Sequence, residues 1–396
     1  MISSRVCLAA AGLALLACGP HARTPAPSPR DYLYVWTAAA DPTQPDFLAV
    51  LDVTEISGRY GQLVTTLPVP GLGNGPHHVE HEMPADRQLF ANGFASGQSF
   101  IFDLTDPARP RIAGRFGDID GYSHPHSFLR LPDGNVLATF QMRHAAGGMT
   151  PGGLVELTPA GRTIRSASAD APGLDPATRV YSAGIVAPLD RIVTTTTDMD
   201  ADSPASRQLQ IWRLSNLTLL HTITLPDGPR GDESGLTAEP RVLADGRTVL
   251  VSTFDCGLYL MEGLESDSPS GRLAASFPRK EHTYCAIPVV AGKYYLVTVP
   301  AYSAVVSLDV SDPSAPREVS RATLGPDDVP HWIAMSPDRR RVVITGYGAM
   351  KNRVVIARFD TATGRLSLDD RFRNPGATAP GYTMTGIPHG AVFSRP

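Results

Sequence analysis

One short hairpin recurs along this chain, and its recurrence limits the fold more than any other feature. From Ser123 to Asn135 the sequence reads Ser-His-Pro-His-Ser-Phe-Leu-Arg-Leu-Pro-Asp-Gly-Asn, a polar start, an apolar middle and a Pro-Asp-Gly turn. A second apolar run, Val136 to Phe140, follows. Two apolar runs joined across an Asp-Gly turn predict a β-hairpin, because such turns need residues that tolerate positive φ. The pattern returns at Val329 to Asp338, followed by Arg341 to Thr345, and at Gly75 to Asp86, followed by Gln88 to Ala91. Registered on the proline of each turn, His78, His126 and His331 fall on one position.

Between these hairpins the chain continues in units of four short strands. The first unit places strands at His78, Gln88 to Asn92, Ser99 to Leu104 and Arg111 to Phe116. Later units include Cys285 to Val290 as the first strand of the fifth, and Leu366 to Phe372 as the last strand of the sixth. The equivalent first-strand positions are His78, His126, Ser182, Glu239, Cys285, His331 and His389. From His78 to His389 there are six steps of about 52 residues, and four strands repeating at that spacing predict a β-propeller. Gly386 to Phe393 supplies the inner strand of a seventh blade, and Tyr32 to Leu67 its other three. Closing the ring with both chain ends in one blade removes the open edge a linear array would leave. The expected fold is all-β: one seven-bladed β-propeller with four-stranded blades over residues 31–396. No long amphipathic pattern supports an α/β alternative.

Composition agrees. Thirty-six glycines and thirty-six prolines in 396 residues exceed the usual combined share of roughly 12 % and suit many short strands joined by turns. The net charge of −4 and the lack of a basic run argue against a nucleic-acid partner. The first residues have a different character. Arg5 precedes an apolar run from Val6 to Ala17, too short to span a bilayer comfortably and suited to a signal peptide over residues 1–18. Leu15-Leu-Ala-Cys18-Gly19 has the form of a lipobox, with Cys18 the lipidated residue; cleavage nearby with Cys18 incidental is the alternative. Residues 19–30 are a Pro-rich tether. An exported lipoprotein follows, periplasmic or anchored to the outer membrane, touching membrane only through its N-terminal lipid. Cys256 and Cys285 remain; in an oxidising compartment they are a disulfide candidate, and two buried free thiols are the other reading.

The first strand of each propeller blade lines the central channel, so equivalent positions converge at one mouth. His78, His126, His331 and His389 would meet there from four blades, with His77, His81, His124, Glu80 and Glu239 as neighbours. Neutral imidazole is the commonest transition-metal ligand, and three or four together suit copper, zinc or iron. The metal candidates are His77, His78, His126, His331 and His389; His124, Glu80 and Glu239 are candidates to orient them from outside. A lone channel histidine is more often structural, but four at one register are harder to explain that way. His144 and His282 in loops, His221 on an outer strand and His21 in the tether read as surface. The acidic run Asp198 to Asp202 does not have EF-hand spacing, so calcium is not expected. No nucleophile elbow, Walker A loop or zinc-protease helix is present.

These residues also carry a family resemblance. Leu67-Pro-Val-Pro-Gly-Leu72, Pro76-His77-His78, the His126 hairpin and the closing Pro388-His389-Gly390 resemble the selenium-binding protein and methanethiol oxidase family. The resemblance implies a seven-bladed propeller whose bacterial members oxidise methanethiol to formaldehyde, hydrogen sulfide and hydrogen peroxide. It implies copper as cofactor, with His77, His78, His126 and His389 as ligands, and a small thiol as substrate. The family's cysteine pair after the double histidine has no counterpart here, where Glu80 to Asp86 stands instead. His331 is not among the implied ligands. The competing expectations are a non-catalytic propeller that binds a metal or a partner, and a lactonase-type hydrolase with a carboxylate-lined channel.

Overall fold

The computed structural model describes Met1 and residues 30–145, 148–175, 178–199 and 206–395. The signal segment with Cys18 and His21, nearly all of the tether, and Asp200 and Asp202 of the acidic run lie outside the described residues.

Seven antiparallel sheets make seven blades, and the chain runs through them in order. Their inner strands are Pro76–Val79, Tyr122–Arg130, Ala183–Val186, Thr237–Val242, Val289–Ala291, Asp328–Met335 and Gly386–Phe393, for blades 1 to 7. Blade 7 joins the two ends of the chain: Gly386–Phe393 pairs with Tyr32–Ala39, which pairs with Phe47–Asp52 and then Gln62–Pro68. The protein is a seven-bladed β-propeller closed as the sequence predicts.

Burial explains why the repeat was visible. The second and third strands of a blade are sandwiched between neighbouring blades, so both faces are covered and the sequence reads as continuous apolar runs. Tyr294–Val299 is buried along its whole length, and Leu89, Phe90 and Ala91 are fully buried. Outer strands such as Arg111–Phe116 alternate between exposed and half-buried positions instead. Trp36, Trp212 and Trp332 lie fully buried between blades.

Three strand expectations change. The inner strand of blade 5 is Val289–Ala291, not Cys285 to Val290. Pro288 has no N–H for the ladder, and the Ala286 N–H donates to Thr298 Oγ1 at 3.1 Å instead of to backbone. The last strand of blade 6 stops at Leu368 because the chain turns at Asp369, whose carboxylate accepts from the Tyr60 hydroxyl at 2.8 Å and from Arg358 at 2.9 Å. The hairpin of blade 2 runs further than expected, as Val136–Ala145 paired with Gly148–Leu157, so His144 ends on a strand; it is exposed, with Asp118 at 3.3 Å. Cys256 and Cys285 form a disulfide, with Cα atoms 5.0 Å apart.

Candidate metal centre

Each histidine named by the register sits at a break in its own ladder, and His77, His126, His331 and His389 each directly follow a proline. In blade 1 the pairing slips between Pro76 and Val79, leaving His77 and His78 in a bulge. In blade 2 it slips between Pro125 and Phe128, around His126 and Ser127. In blade 6 it slips between Pro330 and Trp332, around His331, and in blade 7 between Ala391 and Pro388, around His389 and Gly390. A β-bulge re-aims side chains and ends regular pairing, which is why bulges gather at functional sites. Here every one turns imidazole into the channel. Gly390 is required by the packing: a Cβ there would lie 2.7 Å from the His77 carbonyl oxygen and 2.9 Å from Val79 N.

The backbone freed by the bulges is taken up by the second strands. The His78 N–H donates to Asn92 Oδ1 at 2.6 Å, and Asn92 Nδ2 donates to the Pro125 carbonyl of blade 2 at 3.0 Å. Thr139 repeats the device one blade on, accepting from Ser127 N–H at 3.0 Å and donating to the Tyr181 carbonyl at 2.7 Å. Thr195 does so again, from Ser182 N–H at 3.1 Å to the Ala238 carbonyl at 2.6 Å. The Asn92 and Thr139 ties close bulges, and all three couple a blade to the next.

The five rings form one cluster. Ring centroids lie 4.4 Å apart for His77 and His78, 4.2 Å for His77 and His389, 4.2 Å for His78 and His126, and 4.9 Å for His331 and His389. Two sets of three bring one donor atom each within 4.8 Å of one another: His77, His331, His389 and His77, His78, His126. Buried nitrogens without a hydrogen-bond partner are His77 Nδ1, His126 Nε2, His331 Nε2 and both nitrogens of His389. His126 Nδ1–H donates to the Tyr181 carbonyl at 2.8 Å, which fixes its tautomer and leaves the Nε2 lone pair in the cluster. Burial lowers the pKa of all five; His126 falls to about 3 and His331 to about 4, and for His77 the neighbouring rings of His389, His126 and His331 add to it. The rings are neutral donors at physiological pH.

The surrounding candidates divide. Glu80 accepts from Arg130 Nε at 2.7 Å and Phe90 N–H at 2.9 Å. Glu239 accepts from the Ser182 hydroxyl and from Arg241, both at 2.6 Å. Arginine holds both carboxylates. His81 stacks on Trp332 at 4.4 Å, and its Nε2 accepts from Arg241 at 2.8 Å. His124, at φ 56°, stands 5.8 Å from Phe94 at the edge of the cluster, its buried Nδ1 unpaired. Four aromatic residues that the sequence did not single out complete the centre. Tyr181 lies 3.9 Å from His126, Phe94 5.7 Å from His77, Tyr347 4.9 Å from His331, and Phe254 is stacked 6.4 Å from His331. Tyr181 precedes Ser182 as proline precedes the histidines elsewhere, so the repeat register held a signal for it.

Comparison with known proteins bears on this geometry. No family model matches the chain. A stretch of 138 residues, 34 % of this chain, is 33 % identical to methanethiol oxidase of a Hyphomicrobium species. Another match, 27 % identical over 141 residues, is to methanethiol oxidase of Danio rerio. The matched stretch covers 31 % of each of these relatives. Among solved structures, a hypothetical selenium-binding protein from Sulfolobus tokodaii superposes with a TM-score of 0.75 at 18 % identity, covering 93 % of this chain and 94 % of that one. The chain resembles the selenium-binding protein and methanethiol oxidase family. The periplasmic gluconolactonase of Pseudomonas aeruginosa also shares the propeller, with a TM-score of 0.63 at 15 % identity over 93 % of this chain and 99 % of that one. At these identities the structural likeness is one of fold. To the four histidines of the selenium-binding protein and methanethiol oxidase motif, the geometry of this chain adds His331.

Proposed function

We propose that this protein is an exported, copper-dependent oxidase of a small thiol, of the methanethiol oxidase type. One observation carries the reading: five neutral imidazoles from four blades lie buried together at one point of the channel, four of them with unpaired nitrogens. Each unsatisfied buried polar atom costs about 1–3 kcal/mol, so packing alone is a poor reason to keep several together. A cation that accepts their lone pairs removes the cost. An all-imidazole donor set suits copper or zinc better than magnesium or calcium, and the redox chemistry of the resembled family favours copper.

Copper would be held within the cluster of His77, His78, His126, His331 and His389, by at most four of its rings at once. When bound, copper would exchange electrons with dioxygen and offer a position for thiolate sulfur. The balanced reaction takes methanethiol, dioxygen and water to formaldehyde, hydrogen sulfide and hydrogen peroxide. The carbon gives two electrons to dioxygen, and water supplies the aldehyde oxygen. The chain's own part is to bind and orient the reactants. Phe94, Tyr181, Phe254 and Tyr347 collar the cluster with aromatic faces suited to a small apolar thiol. The Tyr181 carbonyl holds His126 in one tautomer. Carboxylates do not dominate this mouth among the described residues, which favours the oxidase over a lactonase-type hydrolase. The lipobox at Cys18 and the Cys256–Cys285 disulfide support an exported protein.

The test is copper content of the full chain after reconstitution, beside a His77→Ala/His389→Ala variant, with peroxide release from methanethiol as the activity. The expected result is about one copper per chain, lost in the variant, and copper-dependent peroxide. Copper bound without peroxide from any small thiol would make the protein a metal-binding platform. No copper bound would refute the metal centre.

A further inference from the structure

Five imidazoles exceed the four donors that a tetrahedral or square-planar site uses. The cluster resolves into two overlapping seats that share His77, one completed by His331 and His389 and the other by His78 and His126. The seats differ in two independent respects. The first is depth: His77, His331 and His389 keep 8, 8 and 6 % of their surface exposed, whereas His78 and His126 keep 1 and 0 %. The second is hydrogen bonding. Every member of the His331 seat has a buried nitrogen without a partner. In the other seat His78 has both nitrogens engaged, Nε2 with the Tyr181 hydroxyl at 3.3 Å and Nδ1 with Ser127 Oγ at 3.4 Å.

Resting on the copper reading above, we infer that the ion is seated by His77, His331 and His389, and that His78 is a positioning residue and not a ligand. This departs from the family motif, which puts His78 in the ligand set and leaves His331 out. His126 faces the shared cluster with Nε2 free and is the candidate fourth donor. His78 holds the Tyr181 hydroxyl and Ser127, and Tyr181 in turn holds His126 through its carbonyl. The His331 seat is also the one a small molecule reaches first. Tyr347, 42 % exposed, flanks it 4.9 Å from His331 and 5.9 Å from His389. Beneath the other seat lies fully buried Trp332, 5.0 Å from His78.

The test uses the full chain loaded with copper(II) alone. Copper content and the nitrogen hyperfine pattern in electron paramagnetic resonance are read for wild type, His331→Gln and His78→Gln. His331→Gln should lose stoichiometric copper, whereas His78→Gln should keep it with an unchanged count of bound nitrogens. Anomalous diffraction at the copper edge from loaded wild-type crystals locates the ion even if a variant fails to fold. A peak within bonding reach of His77, His331 and His389 is expected. A peak between His77, His78 and His126, or copper lost from His78→Gln and kept by His331→Gln, would overturn the assignment while leaving the copper reading intact. Wild type that binds no copper would overturn both.

Discussion

Asn92 offers a sharp test of how the ring is held. Its side chain is fully buried and serves two backbone groups, the His78 N–H in the blade 1 bulge and the Pro125 carbonyl of blade 2. Asn92→Leu keeps the approximate volume and leaves both groups unpaired. Each should cost about 1–3 kcal/mol, and burying the apolar side chain offsets about 1–2 kcal/mol of the total. A net loss of about 3 kcal/mol is expected from these two terms. Thr345→Val is the natural control, because Thr345 Oγ1 serves one group, the His389 carbonyl at 2.5 Å; its loss should be about 1 kcal/mol. The assay is urea unfolding followed by tryptophan fluorescence, since Trp36, Trp212 and Trp332 are all fully buried and report from three blades. An Asn92→Leu variant that folds and loses less than about 1 kcal/mol would refute the reasoning. The bulge amide would then be satisfied without Asn92, and the blade-to-blade tie would carry no stability.

Other predictions concern closure, cross-linking and pH. Deleting Gly386 to Pro396 removes the partner of Tyr32–Ala39 and exposes an apolar strand edge; light scattering should show aggregation, and a soluble, folded monomer would contradict it. The Cys256–Cys285 disulfide spans 29 residues, for which chain entropy predicts about 3–4 kcal/mol lost in the Cys256→Ala/Cys285→Ala variant by denaturant unfolding; an unchanged midpoint would count against that mechanism. For the metal-free protein, His126 titrates at about 3 and His331 at about 4 when folded, against roughly 6.5 when unfolded. As pH falls below that unfolded value the unfolded chain binds protons that the native state does not, so these two alone should remove about 3 kcal/mol per pH unit until their folded values are approached. Melting temperature between pH 7 and pH 5 should drop accordingly, and less steeply in His331→Gln. A flat profile would mean the rings are not buried neutral.

The ring was readable because two physical signals repeat without depending on distant partners. Asp-Gly turns mark hairpins locally, and strands covered on both faces must be apolar throughout, as Tyr294–Val299 is. Counting between turn prolines then put His78, His126 and His331 at one level before any contact was known. What stayed hidden depends on pairing across strands. Whether Glu80 would orient an imidazole could not be read, because its partner Arg130 arrives from another blade. The fifth inner strand was overextended because apolar character continues through Ala286 and Ile287 while the ladder does not begin until Val289.

The bulges are the main omission, and the site depends on them. In a regular strand successive side chains point to opposite faces, so a Pro-His-His sequence read as plain strand sends His77 and His78 apart. They are in fact stacked at 4.4 Å with their planes 10° from parallel. That geometry needs the ladder to slip between Pro76 and Val79, and the slip needs an acceptor for the freed His78 amide. Asn92 on the second strand supplies it. Adjacent histidines can therefore share one channel mouth only because a residue fourteen positions away permits the bulge. A motif search would treat Pro76-His77-His78 as the site and Asn92 as scaffold. The hydrogen bonds make them one unit.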